Sequence, residues 1–332
     1  MNQSYGECPH SCSRACAAPA SMASNGCARH RSGRRARALS RSALGLAALA
    51  LALAAGPCFA GAWVQDEGAA LVILKASHSD GGAVYNSHSQ SRNFPDAGRS
   101  RQDQLNLYAE YALSADLTLV GNFYFSKADY RNDASYGDRH ATGWADQEVG
   151  LRYRLDPDGR DGPWQGAAQV LALIPGYGRQ DWRDVANDRD HPALGQGDYG
   201  AELRYSVGRG YRAGSLDGYV DLGAAVRLRG GDAADEARLD ISSGLALAPR
   251  WMLIGELNVI QGLGNGNGPN PVYAPGDSTP IRGNNYDLTK LQASLLHTLP
   301  GGTQLQLGYQ QPLAGRNTGG AGGPFVAAWW RF

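Results

Sequence analysis

Apolar and polar residues alternate one by one along many segments of about ten residues, and this pattern constrains the possible folds most strongly. In one such segment Val220, Leu222 and Leu228 occupy even positions, whereas Asp221 and Arg227 occupy odd positions. Successive side chains of a β-strand point to opposite faces of the sheet, so this period of two predicts strands with one apolar and one polar face.

Twelve such segments follow one another, and the connections between them are alternately long and short. They contain 22, 3, 11, 6, 21, 7, 6, 1, 23, 3 and 8 residues in chain order, of which the seventh is only modestly long. Short connections such as Asp156-Pro157-Asp158-Gly159 and Pro300-Gly301-Gly302 carry turn-forming residues. The predicted strands lie near 67–79, 102–113, 117–130, 142–156, 163–175, 197–208, 216–229, 236–248, 250–262, 286–299, 303–313 and 322–332.

This organisation predicts an all-β fold, an antiparallel up-and-down transmembrane β-barrel of about twelve strands. Such barrels have short periplasmic turns and longer outer loops, and closure of the sheet satisfies every backbone group within the lipid. No segment after residue 60 approaches the ~18 apolar residues of a membrane-spanning helix. A soluble β-sandwich or small barrel is the alternative, but it does not predict connections that alternate in length.

The first 60 residues follow a different pattern. The stretch Arg29–Arg41 is basic, and Ala43–Ala55 contains only Ala, Leu and Gly. That apolar run is too short to span a bilayer and has the length of a signal-peptide core. Small residues at Cys58 and Ala60 predict cleavage before Gly61, with a cut after Ala62, lipidation or an uncleaved anchor as alternatives.

Charge and cysteine content divide the chain at the same place. Residues 1–60 contain seven arginines and one acid, whereas the whole chain has 31 basic and 31 acidic side chains, so the remainder is mildly acidic. This balance argues against nucleic-acid binding. All five cysteines lie before residue 60, which excludes thiol catalysis and cysteine-based metal sites from the body. We therefore predict an extended N-terminal segment with a signal peptide over 1–60 and a barrel over 61–332.

Two motifs resemble those of Gram-negative outer-membrane barrels. The chain ends in Phe332, preceded by apolar residues at alternate positions including Trp330, and this resembles the C-terminal assembly signal of that class. The stretch 108–119, YAEYALSADLTL, resembles a hairpin of transporter-like outer-membrane barrels, some grouped with phenol-degradation pathways, although Ala112 stands where that hairpin commonly has Gly. The resemblance implies the cell outer membrane, with its lipid and barrel assembly machinery as partners.

Charged residues of both signs fall on the polar strand faces, which would line the lumen of a barrel. One interpretation is a narrow polar pore that orients a polar or zwitterionic solute. The other is a set of cross-strand ion pairs that fills the lumen and stabilises the wall. The candidate lumen residues are Glu110, Glu148, Arg152, Glu202, Arg204, Asp221, Arg227, Arg238, Asp240 and Glu256.

The sequence predicts no catalytic site, metal site or cofactor. The adjacent pairs His78-Ser79 and His88-Ser89 lie in or beside the first long loop, but nucleophilic catalysis also needs an oriented carboxylate within hydrogen-bond reach. The glycine-rich stretch 262–269 lacks the Lys-Ser/Thr and the helix of a phosphate-binding loop. A barrel hydrolase therefore stays a minor alternative.

These observations together predict an outer-membrane channel or transporter for small solutes, working by passive diffusion through a narrow charged lumen. The alternative function is a closed structural or surface-interaction barrel whose outer loops bind a ligand or partner. The stretch from Gly262 to Asn285 is the longest connection and could fold into the mouth as a gate or remain disordered.

Overall fold

The computed structural model describes residues 61–94, 96–133, 139–177, 192–267 and 284–332. Within these ranges the secondary structure is entirely β, and no helix is long and apolar enough to cross a membrane. The predicted signal peptide lies outside the described residues.

The described residues form sixteen strands, and most of these belong to one closed antiparallel sheet. In the wall β1 pairs with β4 and β14 pairs with β16, because β2, β3 and β15 lie outside the wall, and β1 pairs with β16 to close the barrel. Their bounds are β1 (Ala70–Gly81), β2 (Ala83–Tyr85), β3 (Ser91–Asn93), β4 (Arg99–Ala112), β5 (Leu117–Arg131), β6 (Arg139–Trp144), β7 (Asp146–Arg154), β8 (Gln165–Pro175), β9 (Gly200–Ala213), β10 (Leu216–Arg229), β11 (Glu236–Ala248), β12 (Trp251–Gly262), β13 (Asp287–Thr298), β14 (Gln304–Arg316), β15 (Thr318–Gly319) and β16 (Gly323–Arg331).

The barrel wall contains twelve strands because β6 and β7 act as one strand that is interrupted at Ala145. Both pair with β5. At the interruption the side-chain amide of Gln147 accepts a hydrogen bond from Tyr124 N and donates one to Tyr124 O, both at 2.9 Å. The prediction of a twelve-strand barrel is confirmed, but the continuous strand predicted over 142–156 is wrong in detail, since the Gln147 amide replaces the ladder there.

The seam between the first and last wall strands is fully hydrogen-bonded. β1 and β16 pair in register from Leu71↔Arg331 to Ser77↔Phe325. Beyond this ladder, Ala70 N donates to Phe332 O at 3.1 Å, and Phe332 N donates to Ala70 O at 3.0 Å. The closed wall leaves no free strand edge here, as a barrel in lipid requires.

The two ends of the barrel differ. Short connections such as 113–116 and 249–250 join strands at one end, which we call the short-turn end, and both ends of the barrel sequence lie there. At the opposite, long-loop end, β2, β3 and β15 form a separate three-stranded sheet built from the first and last long connections.

Large apolar side chains are exposed on the outer face of nearly every wall strand. On β4, β9 and β14 they alternate with residues that point inward, as the period of two predicts. Such exposed apolar side chains are stable when the surrounding medium is lipid and not water. Examples are Leu105, Leu107, Leu119, Leu151, Val170, Leu203, Val226, Leu228, Leu253, Leu291, Leu307 and Val326.

Gly150 on β7 offers a test of the wall packing. A methyl group at this position would lie 1.9 Å from the carbonyl oxygen of Val170, a backbone atom that cannot rotate away. We expect Gly150→Ala to lower the folded fraction strongly, as read from heat-modifiable migration in gels. Gly255→Ala is the control, because a methyl group there has no atom within 4 Å. Equal folding of the two variants would contradict the described β7–β8 packing.

Candidate functional site

The interior of the barrel holds the charged side chains of the polar strand faces. All ten candidate lumen residues lie on inner faces, where they contact one another, inner amide groups or the chain before β1. They are Glu110, Glu148, Arg152, Glu202, Arg204, Asp221, Arg227, Arg238, Asp240 and Glu256.

Arg227 on β10 lies between two carboxylates near the long-loop end. Its Nε donates to Oε2 of Glu202 at 2.8 Å, and its Nη2 contacts Glu148 on β7. Strands β8 and β9 stand between β7 and β10, so this contact covers about 14 Å of wall at the ~4.8 Å spacing of neighbouring strands. The three side chains therefore reach across part of the lumen and narrow it.

The ion pairs continue from Glu202 along the next strands. Arg204 Nε donates to Glu202 Oε1 at 2.9 Å, and its Nη1 contacts Asp240 on β11. Arg238 lies 3.8 Å from Glu202 and 2.6 Å from Glu236. Each acid of this cluster has at least one arginine beside it, so the cluster compensates its own charge.

Amide side chains extend the cluster towards the seam. Asn258 donates to Asp240 at 2.8 Å, and Gln292 donates to both Asn258 at 3.1 Å and Glu256 at 2.9 Å. Lys75 on β1 donates to Gln292 at 2.8 Å. A connected polar belt therefore runs around the inner wall from β7 to β1.

A second charged group lies nearer the short-turn end, centred on Arg152 of β7. Its Nη1 donates to Glu110 Oε1 at 2.7 Å, its Nε donates to Gln169 at 3.1 Å, and its Nη2 donates to the Tyr108 hydroxyl at 2.9 Å. The Tyr108 hydroxyl in turn donates to Glu110. The Arg152 and Glu110 side chains are almost completely buried, so this pair depends on its mutual contacts and not on water.

The chain before β1 enters this end of the lumen. From here on, the N-terminal segment means Gly61–Gly68, which follows the extension and signal peptide predicted over 1–60. Its Trp63 carbonyl accepts a hydrogen bond from Arg152 at 3.4 Å, and its Gln65 amide donates to Glu110 at 3.1 Å. The segment therefore occupies space that a solute would need at the short-turn end.

The Trp63 ring also packs into an apolar cluster inside the barrel. It meets Tyr219 edge to face, with ring centroids 5.8 Å apart. The inner face near the short turns is therefore partly apolar, a feature that the charge pattern alone does not predict. The buried members of the cluster are Leu71, Tyr219, Met252, Ile254, Leu296, Ala327 and Trp329.

Sequence reasoning missed the N-terminal segment, although one cue was present. Trp63 and Val64 are bulky apolar residues that precede the first predicted strand and belong to no lipid-facing stripe. Apolar residues outside the strand pattern need another place to be buried. The interior offers that place, where Val64 is buried and Trp63 is partly buried.

The two residues of the predicted assembly signal lie on the outside of the final strand. Phe332 is 77% exposed, and Trp330 stands on the same face of β16. The neighbouring Trp329 points inward and donates to Gln306 at 3.1 Å. The outer stripe of β16 thus presents aromatic side chains where the barrel meets the membrane interface.

The histidines considered for catalysis lie away from the lumen. His78 Nδ1 lies 2.6 Å from an Asp103 carboxylate oxygen on the exposed outer side of the wall, and His88 contacts Ser87 in the first long connection. Among the described residues, no three His, Cys, Asp or Glu side chains are grouped to hold a metal ion. Most of the glycine-rich connection, 268–283, lies outside the described residues, as does the gate suggested there.

Comparison with solved structures identifies the architecture. The COG4313 outer membrane channel from Pseudomonas putida F1 aligns with a TM-score of 0.54 and 16% identity, over 83% of this chain and 100% of that chain. The chain has the fold of an outer-membrane β-barrel. The translocator domain of the autotransporter NalP from Neisseria meningitidis aligns with a TM-score of 0.40 and 12% identity, over 90% of this chain and 98% of that one. No protein-family model matches the sequence, and no curated protein matches it.

The fold agrees with the location predicted from the sequence. A closed wall with an apolar outer face and a charged interior suits a bilayer outside and polar contacts within. The barrel is thus an outer-membrane protein, and the question that follows is what its lumen does.

Proposed function

We propose that this barrel is an outer-membrane channel that admits small polar solutes by passive diffusion. The observation that carries the proposal is the polar belt, which lines the inner wall from β7 to β1 with groups of both signs and with amides. Pore selectivity arises from such rings of charged and polar side chains. The outer membrane channel from Pseudomonas putida F1 aligns over its whole length, which adds support at the level of fold.

The belt favours solutes without a large net charge. Of the ten candidate lumen residues six are acidic and four basic, and the acids of the central cluster stand beside arginines. A pore with one dominant sign would attract counter-ions and repel like ions. Interspersed charges instead offer paired contacts to zwitterions and hydrogen bonds to neutral polar molecules.

The N-terminal segment sets the conductance in this proposal. It lies against Arg152 and Glu110 at the short-turn end and covers the adjoining apolar cluster through Trp63. Solute passage would require this segment to move or would be confined to the space beside it. The channel described here is therefore a narrow or closed state.

A closed structural or surface-interaction barrel is the second candidate. The ion pair that reaches across two intervening strands favours it, because such contacts fill the lumen. In that case the outer connections, including the sheet of β2, β3 and β15, would form the functional surface.

Planar-bilayer recording separates the two candidates. Chain 61–332 and a chain 69–332 without the N-terminal segment are refolded, and their folding is checked by heat-modifiable migration. We expect small or infrequent single-channel steps from the first and clearly larger, steadier steps from the second, since removal of the segment opens the short-turn end.

The control replaces the N-terminal segment by eight Gly and Ser residues, which keeps its length but removes Trp63 and Gln65. We expect this chain to resemble the truncated one. If all three barrels fold and none conducts, the channel proposal is overturned and the closed barrel is supported.

A further inference from the structure

Asp221 on β10 is a buried carboxylate with no cation in ion-pair contact among the described side chains. It is 6% exposed, and its Oδ2 accepts a hydrogen bond from the backbone N–H of Ala62 at 2.8 Å. Over the described ranges no Lys, Arg or His forms an ion pair with it, whereas Glu110 and Glu202 each have an arginine within 3 Å. Arg152 and Arg204 lie near enough for their charges to act on Asp221, but neither forms an ion pair with it. A cation in direct contact would stabilise a carboxylate that is buried in this way.

The backbone of Gly61 lies directly against this carboxylate. A Cβ atom built on Gly61 would be 2.4 and 2.5 Å from the two Asp221 oxygens, so any side chain there would collide. The nitrogen of Gly61 is bonded to the same Cα as that Cβ would be, and covalent geometry therefore places it within about 5 Å of an Asp221 oxygen.

Cleavage of the predicted signal peptide would turn that nitrogen into a cation beside Asp221. Hydrolysis of the Ala60–Gly61 bond breaks the C–N bond, adds the hydroxyl of water to the Ala60 carbonyl carbon and leaves an amine on Gly61. This amine has an ordinary pKa near 8 and is largely protonated at neutral pH. We propose that the resulting Gly61 α-ammonium pairs with Asp221 and latches the N-terminal segment inside the barrel.

The latch makes the closed conformation depend on where the chain is cut. A cut after Ala60 supplies a charge at the position that faces Asp221, whereas a cut after Ala62 would remove both Gly61 and the N–H that Asp221 accepts. Docking of the segment would thus follow secretion and processing. That the latch closes a channel rests on the proposed function, but the ion pair itself does not.

Amine labelling of protein purified from the outer membrane tests the pair. The mass of the mature chain first identifies its N-terminal residue, which we expect to be Gly61. Brief reductive dimethylation at neutral pH, read by mass spectrometry of peptides, then measures α-amine reactivity, with the exposed Lys127 as internal reference. We expect slow labelling in the wild type and severalfold faster labelling in Asp221→Asn.

Glu256→Gln is the matched control. It also removes one carboxylate from the inner face, but Glu256 contacts Gln292 and not the N-terminal segment, so we expect wild-type labelling. A different N-terminal residue, or equal labelling of the wild type and Asp221→Asn, would overturn the latch.

A second variant keeps the test decisive if Asp221→Asn fails to fold. Insertion of Ser-Gly between Ala60 and Gly61 changes no residue of the barrel and moves the new amine two residues further along the chain from Asp221. We expect severalfold faster labelling, and unchanged labelling would overturn the proposal. The two proposals can fail separately. A barrel that does not conduct but whose α-amine is labelled slowly would contradict only the channel proposal. A barrel that conducts but whose α-amine is labelled rapidly would contradict only the latch.

Discussion

Replacement of Arg227 by methionine is expected to destabilise the barrel more than any other single change to its charged interior. Arg227 is 5% exposed and contacts both Glu148 and Glu202. Methionine keeps much of the length but leaves Glu148 without the guanidinium that contacts it, and it removes one of the three arginines beside Glu202. Removal of one partner from a buried pair costs about 3–5 kcal/mol, so we expect a clearly lower urea concentration at the unfolding midpoint.

The matched control is Arg212→Met near the short turn between β9 and β10. Arg212 pairs with Asp217 at 2.7 Å, but the two side chains are 71% and 58% exposed. Exposed ion pairs contribute little because water and salt screen them. We therefore expect a midpoint close to that of the wild type, and an equally small change for Arg227→Met would show that the lumen pairs do not stabilise the wall.

A compensating variant tests the cause of the expected loss. When Arg227→Met is combined with Glu148→Gln, no unpaired carboxylate remains beside the methionine, because Glu202 keeps its contact with Arg204 at 2.9 Å. Replacement of both sides of a buried pair is often nearly neutral, whereas replacement of one side is not. We expect the combined variant to recover a large part of the lost stability.

The same substitution also tests the channel proposal. Loss of one guanidinium makes the polar belt more negative, so the reversal potential in a KCl gradient should move towards cation selectivity. An unchanged reversal potential in a folded, conducting Arg227→Met barrel would exclude Arg227 from the pore.

The sequence predicts which residues of each strand point into the barrel, but it does not predict which charged side chains pair with one another. Period-two alternation alone places Glu148 and Arg227 inside, because neighbouring residues point to opposite faces. Their contact depends on strand stagger and on an arginine that reaches past two strands. The spacing of residues along the sequence indicates neither the stagger of the strands nor the direction in which an arginine side chain extends.

The N-terminal segment escaped prediction for a related reason. It has no strand period, and its position is fixed by contacts of Trp63 and Gln65 with residues 45 or more positions away. The interruption at Ala145 escaped because one amide, that of Gln147, replaces the regular ladder. Both features are set by single side chains and not by a repeating pattern.

Substitution of Phe332 by alanine is expected to reduce the amount of barrel in the outer membrane strongly while leaving the intrinsic stability nearly unchanged. The side chain is 77% exposed, so the folded barrel loses little packing without it. The seam hydrogen bonds between Phe332 and Ala70 use backbone atoms, which alanine retains. We propose that the aromatic ring serves recognition by the barrel assembly machinery during insertion.

Two measurements on Phe332→Ala separate assembly from stability. The folded fraction in outer-membrane preparations should fall severalfold, whereas refolding of purified chain into detergent should match the wild type. Leu307→Ala is the control, because Leu307 is 63% exposed on the lipid-facing side of β14 and lies outside the terminal motif. Its membrane level should stay near that of the wild type. If both variants lose the same amount of folded protein in cells, the ring acts only as one more lipid-facing apolar group, and the terminal motif of this chain has no separate assembly role.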